Sequence, residues 1–153
     1  MFKKLIKIII VLLCMIIIFR FSNDNGTQSN KKSDDIILNI CNIFVHRDLS
    51  GKEKERIINK YVLFVRKSAH FIIYFVLGLS LISLIKEYRT INLISVLIAL
   101  IIAILYACSD EIHQIFIPGR SAKILDVFID SFGSFTGMYL YYVVYKIRRK
   151  KYE

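Results

Sequence analysis

The chain has 153 residues, and its 22 Lys and Arg against 12 Asp and Glu give a formal net charge of +10. Even so, 56% of the residues are hydrophobic and the mean hydropathy is +0.53. A nucleic-acid-binding protein carries its basic residues on one polar face, whereas here they lie between long apolar runs. The composition therefore indicates a membrane protein with one domain, 1–153, and excludes nucleic acid as a partner.

Four apolar stretches are long enough to cross a membrane as helices. They are 5–21, 69–85, 91–107 and 124–145. A hydrocarbon core of about 30 Å needs about 17–25 helical residues. Lipid cannot satisfy open backbone groups, and four strands could not close a barrel. The sequence therefore predicts an all-α membrane protein, a bundle of four transmembrane helices.

The first stretch also has features of a cleaved leader, because Lys3 and Lys4 precede an apolar run. The residues that follow it, 21–24, do not form a small-x-small cleavage pattern. We interpret it as a retained span, with a cleaved signal peptide as the alternative.

The long first loop, 22–68, is predicted to contain one or two amphipathic helices at the membrane surface. Residues 23–30 are polar and predict a flexible stretch, and 33–35 predict the start of a helix. The apolar face of that helix comprises Ile36, Ile37, Ile40, Cys41 and Phe44. Ser50 and Glu53 match a capping box that starts a second helix. A helical hairpin packed on the spans is the alternative.

Basic residues near the span ends predict the orientation. Lys and Arg cluster at 3–7 and 146–151, and the short connection after the second span adds Lys86 and Arg89. The positive-inside rule places these segments, and both termini, in the cytoplasm, with 22–68 outside.

Ionisable residues at the span ends predict a functional site, because such groups are costly in a membrane. They are expected to converge at the outer face. The candidate acid–base residues are His70, Asp110, Glu111 and His113. The candidate residues for binding an anionic or lipid headgroup are Arg66, Lys67, Tyr74, Gln114, Arg120, Asp126 and Asp130.

Structural pairing is the alternative for some of these residues. His70 could neutralise Asp110, and Asp126 could pair with Arg120 across a loop expected to dip into the interface. A zinc ion held by His70, Asp110 and His113 is a further alternative. No HExxH or clustered Cys supports it, so no metal ligands are assigned and the cofactor is unknown.

Three segments of the chain resemble the VanZ-like family of small bacterial membrane proteins. Residues 66–74 match RKxAHxxxY and 109–120 match SDExHQxFxPGR. Residues 126–137 match DxxxNxxGxxxG, except that Asp130 stands where the pattern usually has Asn. The name-giving member of the family is associated with low-level resistance to teicoplanin, a lipoglycopeptide antibiotic. The resemblance implies a bacterial cytoplasmic membrane protein that acts at the cell envelope.

Three functions are compatible with this reasoning. The first is a cell-envelope protein that acts on glycopeptide tolerance through a polar site at the outer leaflet. The second is a membrane enzyme that acts on a lipid or lipid-linked cell-wall intermediate by His/Asp acid–base chemistry. The third is a small transporter. The expected partners are the lipid membrane, a lipid-linked cell-wall precursor or lipoglycopeptide, and a second copy of the chain.

Overall fold

The computed structural model describes residues 2–44 and 50–151, and within these ranges all regular structure is helical. The five helices are α1 (Phe2–Ser22), α2 (Gly26–Phe44), α3 (Gly51–Ile85), α4 (Leu93–Gln114) and α5 (Ile124–Lys151). Three of them, α1, α3 and α4, are long and apolar enough to span a membrane. The all-helical class and the membrane character are thus confirmed, with three helices rather than four meeting the criteria for a span.

Helix α2 begins earlier than the sequence analysis predicted. Asn25 Oδ1 accepts a hydrogen bond from the backbone N of Gln28 at 2.8 Å, and Gln28 Oε1 accepts one from the backbone N of Asn25 at 3.3 Å. This reciprocal cap starts the helix at Gly26, inside the stretch that was expected to be flexible. Of the predicted apolar face, Ile37 is buried and Ile36 and Ile40 are exposed. The Phe44 side chain lies outside the described residues.

Helix α3 joins two segments that the sequence analysis treated separately. Its capping box at Ser50 and Glu53 is present as predicted. The helix then continues for 35 residues into the predicted second span, because no Gly or Pro interrupts 52–77. At 1.5 Å per residue it is about 52 Å long, which exceeds a hydrocarbon core of about 30 Å.

Helices α3 and α5 run parallel and pack backbone against backbone. A Cβ atom on Gly133 would lie 2.5 Å from the carbonyl O of Phe71, and one on Gly137 would lie 2.2 Å from that of Phe75. Neither position has room for a side chain. The Gly133/Gly137 pair therefore sets the α3–α5 distance.

Helix α1 runs antiparallel to α3 and parallel to α4. Lys7 Nζ, near its start, donates to the carbonyl O of Ser83 near the end of α3 at 2.9 Å. Farther along, the Met15 carbonyl accepts a hydrogen bond from Tyr106 Oη of α4 at 2.6 Å. The ends of α1 and α4 and the start of α5 consequently lie together, beside the middle of α3.

Candidate functional site

Three buried carboxylates meet at this end of the bundle. Asp110 and Glu111 of α4 are 3% and 4% exposed, and Asp130 of α5 is 0% exposed. One oxygen from each lies within 4.8 Å of the others. We call these three residues the carboxylate cluster.

The last turn of α4 and the loop after it hold two members of the cluster in place. Asp110 Oδ2 accepts a hydrogen bond from Gln114 Nε2 at 3.1 Å, one turn later on the helix. Glu111 Oε2 accepts one from the backbone N of Lys123 at 2.7 Å, just before α5 begins. Each carboxylate is thereby fixed through one oxygen, and its other oxygen is left buried without a hydrogen-bond partner among the described residues.

The third member, Asp130, forms an ion pair across the α3–α5 contact. Its Oδ1 lies 3.5 Å from Nδ1 of His70. The close approach at Gly133, one turn later on α5, brings the two helices near enough for this contact. The structure therefore joins His70 and Asp130, two of the predicted site residues.

Tyr74 lies one turn after His70 and is completely buried. Its ring packs against that of Tyr106, with the centroids 6.3 Å apart. Its backbone carbonyl accepts a hydrogen bond from Ser134 Oγ at 3.0 Å. The phenolic hydroxyl has no hydrogen-bond partner within the described part of the chain.

The ion pairs differ from those considered in the sequence analysis. Asp126 Oδ1 lies 3.5 Å from Lys67 Nζ, and not against Arg120. His70 pairs with Asp130 and not with Asp110. Both observed pairs join α3 to α5, because the parallel packing of these helices brings their matching turns side by side.

Arg120 fastens the α4–α5 loop to the end of α1. Its Nε donates to the carbonyl O of Asp24 at 2.7 Å, and its Nη2 donates to that of Phe21 at 2.9 Å. Beside it, the backbone N of Gly26 donates to the Pro118 carbonyl at 3.1 Å. Gly119 has a φ of 73°, which permits this turn. The guanidinium thus ties the loop to carbonyl groups at the end of α1 and just beyond it.

His113 lies on a different side of α4 from the cluster residues. Its ring packs against Phe19 of α1, with centroids 4.6 Å apart. The structure thus separates this candidate acid–base residue from His70, to which the sequence analysis had joined it.

A cleft of about 140 Å³ opens beside His70, between α1, α2 and α3. Its apolar lining residues are Ile18, Phe21, Ile36, Val65, Ala69 and Ile73. Its polar lining residues are Asp24, Ser29, Lys32, Ser33, Arg66, His70 and Arg120. The cleft thus combines an apolar wall with three basic side chains.

Several contacts position these basic groups. Arg66 donates from Nη2 to Asn30 Oδ1 of α2. Lys32 Nζ lies 2.5 Å from Asp24 Oδ2. Partial burial lowers the pKa of Arg120, and the nearby charge of Arg66 lowers it further. Two guanidinium groups, those of Arg66 and Arg120, thus line the same cleft.

The sequence analysis missed the contribution of α2 to this cleft. Ser29, Lys32, Ser33 and Ile36 line it at helical spacings of three and four. The Asn25–Gln28 cap was a signal that could have placed these residues on one face of a helix.

The comparison with protein families identifies the chain. The model described as VanZ/LLP1 matches residues 7–145. Neither the curated proteins nor the solved structures include a match to the chain. Because the matched region covers most of the sequence, the chain belongs to the VanZ/LLP1 family.

Proposed function

We propose that the chain is a VanZ-like integral membrane protein of the bacterial cell envelope whose cleft binds an anionic amphiphile at the outer leaflet, an activity linked to teicoplanin tolerance. In this arrangement α5 is the fourth span of a single membrane domain. Both termini are cytoplasmic, since the basic residues of 3–7 and 146–151 lie at one end of the bundle.

The cleft is the observation that carries this proposal. Arg66 and Arg120 approach it with planar guanidinium groups, which bind phosphates and carboxylates in bidentate fashion. Aliphatic side chains, among them Ile18, Val65 and Ile73, also line the cleft. A charged head beside a hydrocarbon wall suits a lipid, a lipid-linked cell-wall precursor or a lipoglycopeptide.

Susceptibility to teicoplanin tests the proposal. Deletion of the gene is expected to lower the inhibitory concentration, and the wild-type gene to restore it. Arg66→Ala and His70→Ala are expected to fail to restore it at equal membrane levels. Lys54→Ala serves as the matched control, because Lys54 is an exposed residue of the same helix. A deletion without effect, or cleft variants that restore tolerance fully, would contradict the proposal.

Cysteine labelling tests the orientation. In a variant whose native Cys14, Cys41 and Cys108 are replaced by Ala, a Ser121→Cys substitution places one thiol in the exposed loop between α4 and α5. We expect a membrane-impermeant reagent to label it in intact cells. Labelling only after permeabilisation would place this end of the bundle in the cytoplasm.

The His70–Asp130 pair favours a second candidate, a membrane enzyme acting on a lipid or lipid-linked intermediate. Asp130 Oδ1 lies 3.5 Å from Nδ1 of the imidazole, and His70 also lines the cleft. An imidazole oriented by a carboxylate is suited to general acid–base catalysis. A deletion strain should then accumulate the substrate, and His70→Ala should accumulate it too. An unchanged lipid profile in both strains would favour binding without catalysis.

A further inference from the structure

The carboxylate cluster has ligand atoms that the described residues do not use. Asp110 Oδ1, Glu111 Oε1 and Asp130 Oδ2 are buried and have no hydrogen-bond partner within 2–44 and 50–151, whereas Asp130 Oδ1 lies 3.5 Å from His70 Nδ1. The hydroxyl of the buried Ser22, which acts on Asp110, is likewise without a partner there. The other oxygens of Asp110 and Glu111 are held by Gln114 and by the Lys123 backbone. In metal sites, a hydrogen bond to one oxygen of a carboxylate commonly orients the other oxygen towards the metal ion.

A second observation, independent of the acidic residues, points to the same place. The Tyr74 side chain is 0% exposed, and its hydroxyl has no hydrogen-bond partner in the described structure. Tyr74 lies one turn after His70, which contacts Asp130, and its ring packs on that of Tyr106, one turn before Asp110, so the side chain lies beside the cluster. A buried hydroxyl without a partner is costly, typically about 1–3 kcal/mol. A ligand or its bound water in the cluster would supply that partner.

The charge of the cluster points to a cation. Three carboxylates within 4.8 Å of one another in a buried environment repel strongly whenever they are ionised together, unless a positive charge lies among them. The nearest positive partner that the ion pairs provide is His70, against Asp130. A divalent cation among the three carboxylates would offset most of that repulsion.

We propose that Asp110, Glu111 and Asp130 bind a hard divalent cation of the Mg²⁺, Ca²⁺ or Mn²⁺ class, with Tyr74 beside it. Oxygen-only ligands favour these ions, whereas zinc prefers nitrogen and sulfur. Carboxylate oxygens around a Ca²⁺ ion lie about 2.3–2.6 Å from it, and opposite ligands are then up to about 5 Å apart. His70 holds the ligand Asp130 from outside, and the site differs from the zinc set His70, Asp110 and His113. The proposal does not depend on what occupies the cleft.

Binding of the metal alone tests the proposal. The purified full-length chain, treated with EDTA in detergent, is titrated with MnCl₂ while the electron paramagnetic resonance signal of free Mn²⁺ is recorded. We expect saturable binding of one ion per chain, and competition by Mg²⁺ or Ca²⁺. We also expect these ions to raise Tm, at constant ionic strength set with NaCl. Absence of saturable binding would overturn the proposal.

Variants locate the ion. Asp110→Asn and Glu111→Gln are expected to weaken Mn²⁺ binding at least roughly tenfold, because each removes a charged ligand. Asp130→Asn keeps an amide oxygen and should cause a smaller loss. The control Asp35→Asn, at an exposed position of α2, should leave affinity within about twofold. Without cation, Asp110→Asn should be at least as stable as wild type, because it relieves repulsion. Variants that bind Mn²⁺ like wild type would place the ion elsewhere and overturn the proposal.

Discussion

His70 Nδ1 on α3 lies 3.5 Å from Oδ1 of Asp130 on α5, and the carboxylate it contacts is completely buried. The pair joins the two helices whose parallel packing forms the centre of the bundle. It also links the cleft, which His70 lines, to the carboxylate cluster, to which Asp130 belongs. One imidazole therefore contacts both parts of the candidate site.

Removing only one partner of this pair is expected to destabilise the fold more than removing both. His70→Ala leaves the Asp130 carboxylate buried without its partner, which should cost on the order of 3 kcal/mol. In His70→Ala/Asp130→Asn the buried charge is gone, so most of the loss should be recovered. Thermal unfolding in EDTA measures both, with a thiol-reactive dye reporting exposure of the buried Cys14. Additive effects in the double-mutant cycle would contradict the coupling.

Gly137→Ala is expected to force α3 and α5 apart. The new Cβ would lie 2.2 Å from the Phe75 carbonyl O, which is backbone and cannot move aside. Overpacking of this kind costs about 1–3 kcal/mol, measured by the same thermal assay. Gly51→Ala is the matched control, because a Cβ there meets nothing within 4 Å. That change should be neutral or stabilise the helix by up to about 1 kcal/mol. Equal effects would show that the helices do not depend on close approach at Gly137.

Arg120→Lys is expected to loosen the α4–α5 loop. An ammonium group lacks the planar fork with which Arg120 reaches the Asp24 and Phe21 carbonyls together. Amide hydrogen exchange should speed up in residues 115–123 and 22–26 and stay unchanged at 93–105. Lys123→Ala is the control, because Lys123 acts on Glu111 through its backbone N. Unchanged exchange in Arg120→Lys would mean that the Gly26–Pro118 hydrogen bond alone holds the loop.

The contact between Lys7 and Glu87 predicts a pH dependence at the other end of the bundle. Lys7 Nζ donates to Glu87 Oε1 at 2.5 Å, and this bond, with the charges of Lys7, Lys3 and Lys4, lowers the pKa of the Glu87 carboxyl. Because the folded pKa is depressed, its stabilising contribution is present above the ordinary Glu pKa of about 4.3 and is lost as pH falls through the folded value. The effect should be small, since the pair is near the surface. Glu87→Gln should show a weaker drop in Tm between pH 6 and pH 3 than wild type. Identical pH profiles would contradict the prediction.

Local sequence signals predicted where the helices form. Which side chains pair depends on how the helices pack, and the sequence does not show that packing. The Ser50–Glu53 capping box starts a helix as predicted. The orientation of α4 was predicted less well, because His113, which continues the row of Ala103 and Tyr106, was expected to converge with Asp110 and Glu111. The buried row instead continues through Ala107 to Glu111.

This orientation of α4 explains why His113 does not lie in the site with His70. Around the axis of an α-helix, a step of three residues ends about 60° to one side of the starting residue, whereas a step of four residues ends on the other side. Asp110, Glu111 and Gln114 turn inward, so His113 is turned toward Phe19 of α1. No spacing rule could decide between these rows, because both are compatible with a helix. The choice follows from where α1 and α5 pack.

The unbroken length of α3 has a mechanical consequence. The residues from Gly51 to Ala69 form a straight arm of about 28 Å, with α2 packed against it and the cleft at its base. A helix without a Gly or Pro kink transmits tilt along its axis. Tilting this arm by about 5° around His70 moves its far end by about 2.4 Å and rotates the imidazole against Asp130. A ligand that widened the cleft by tilting this arm would therefore also change the contact between His70 and Asp130.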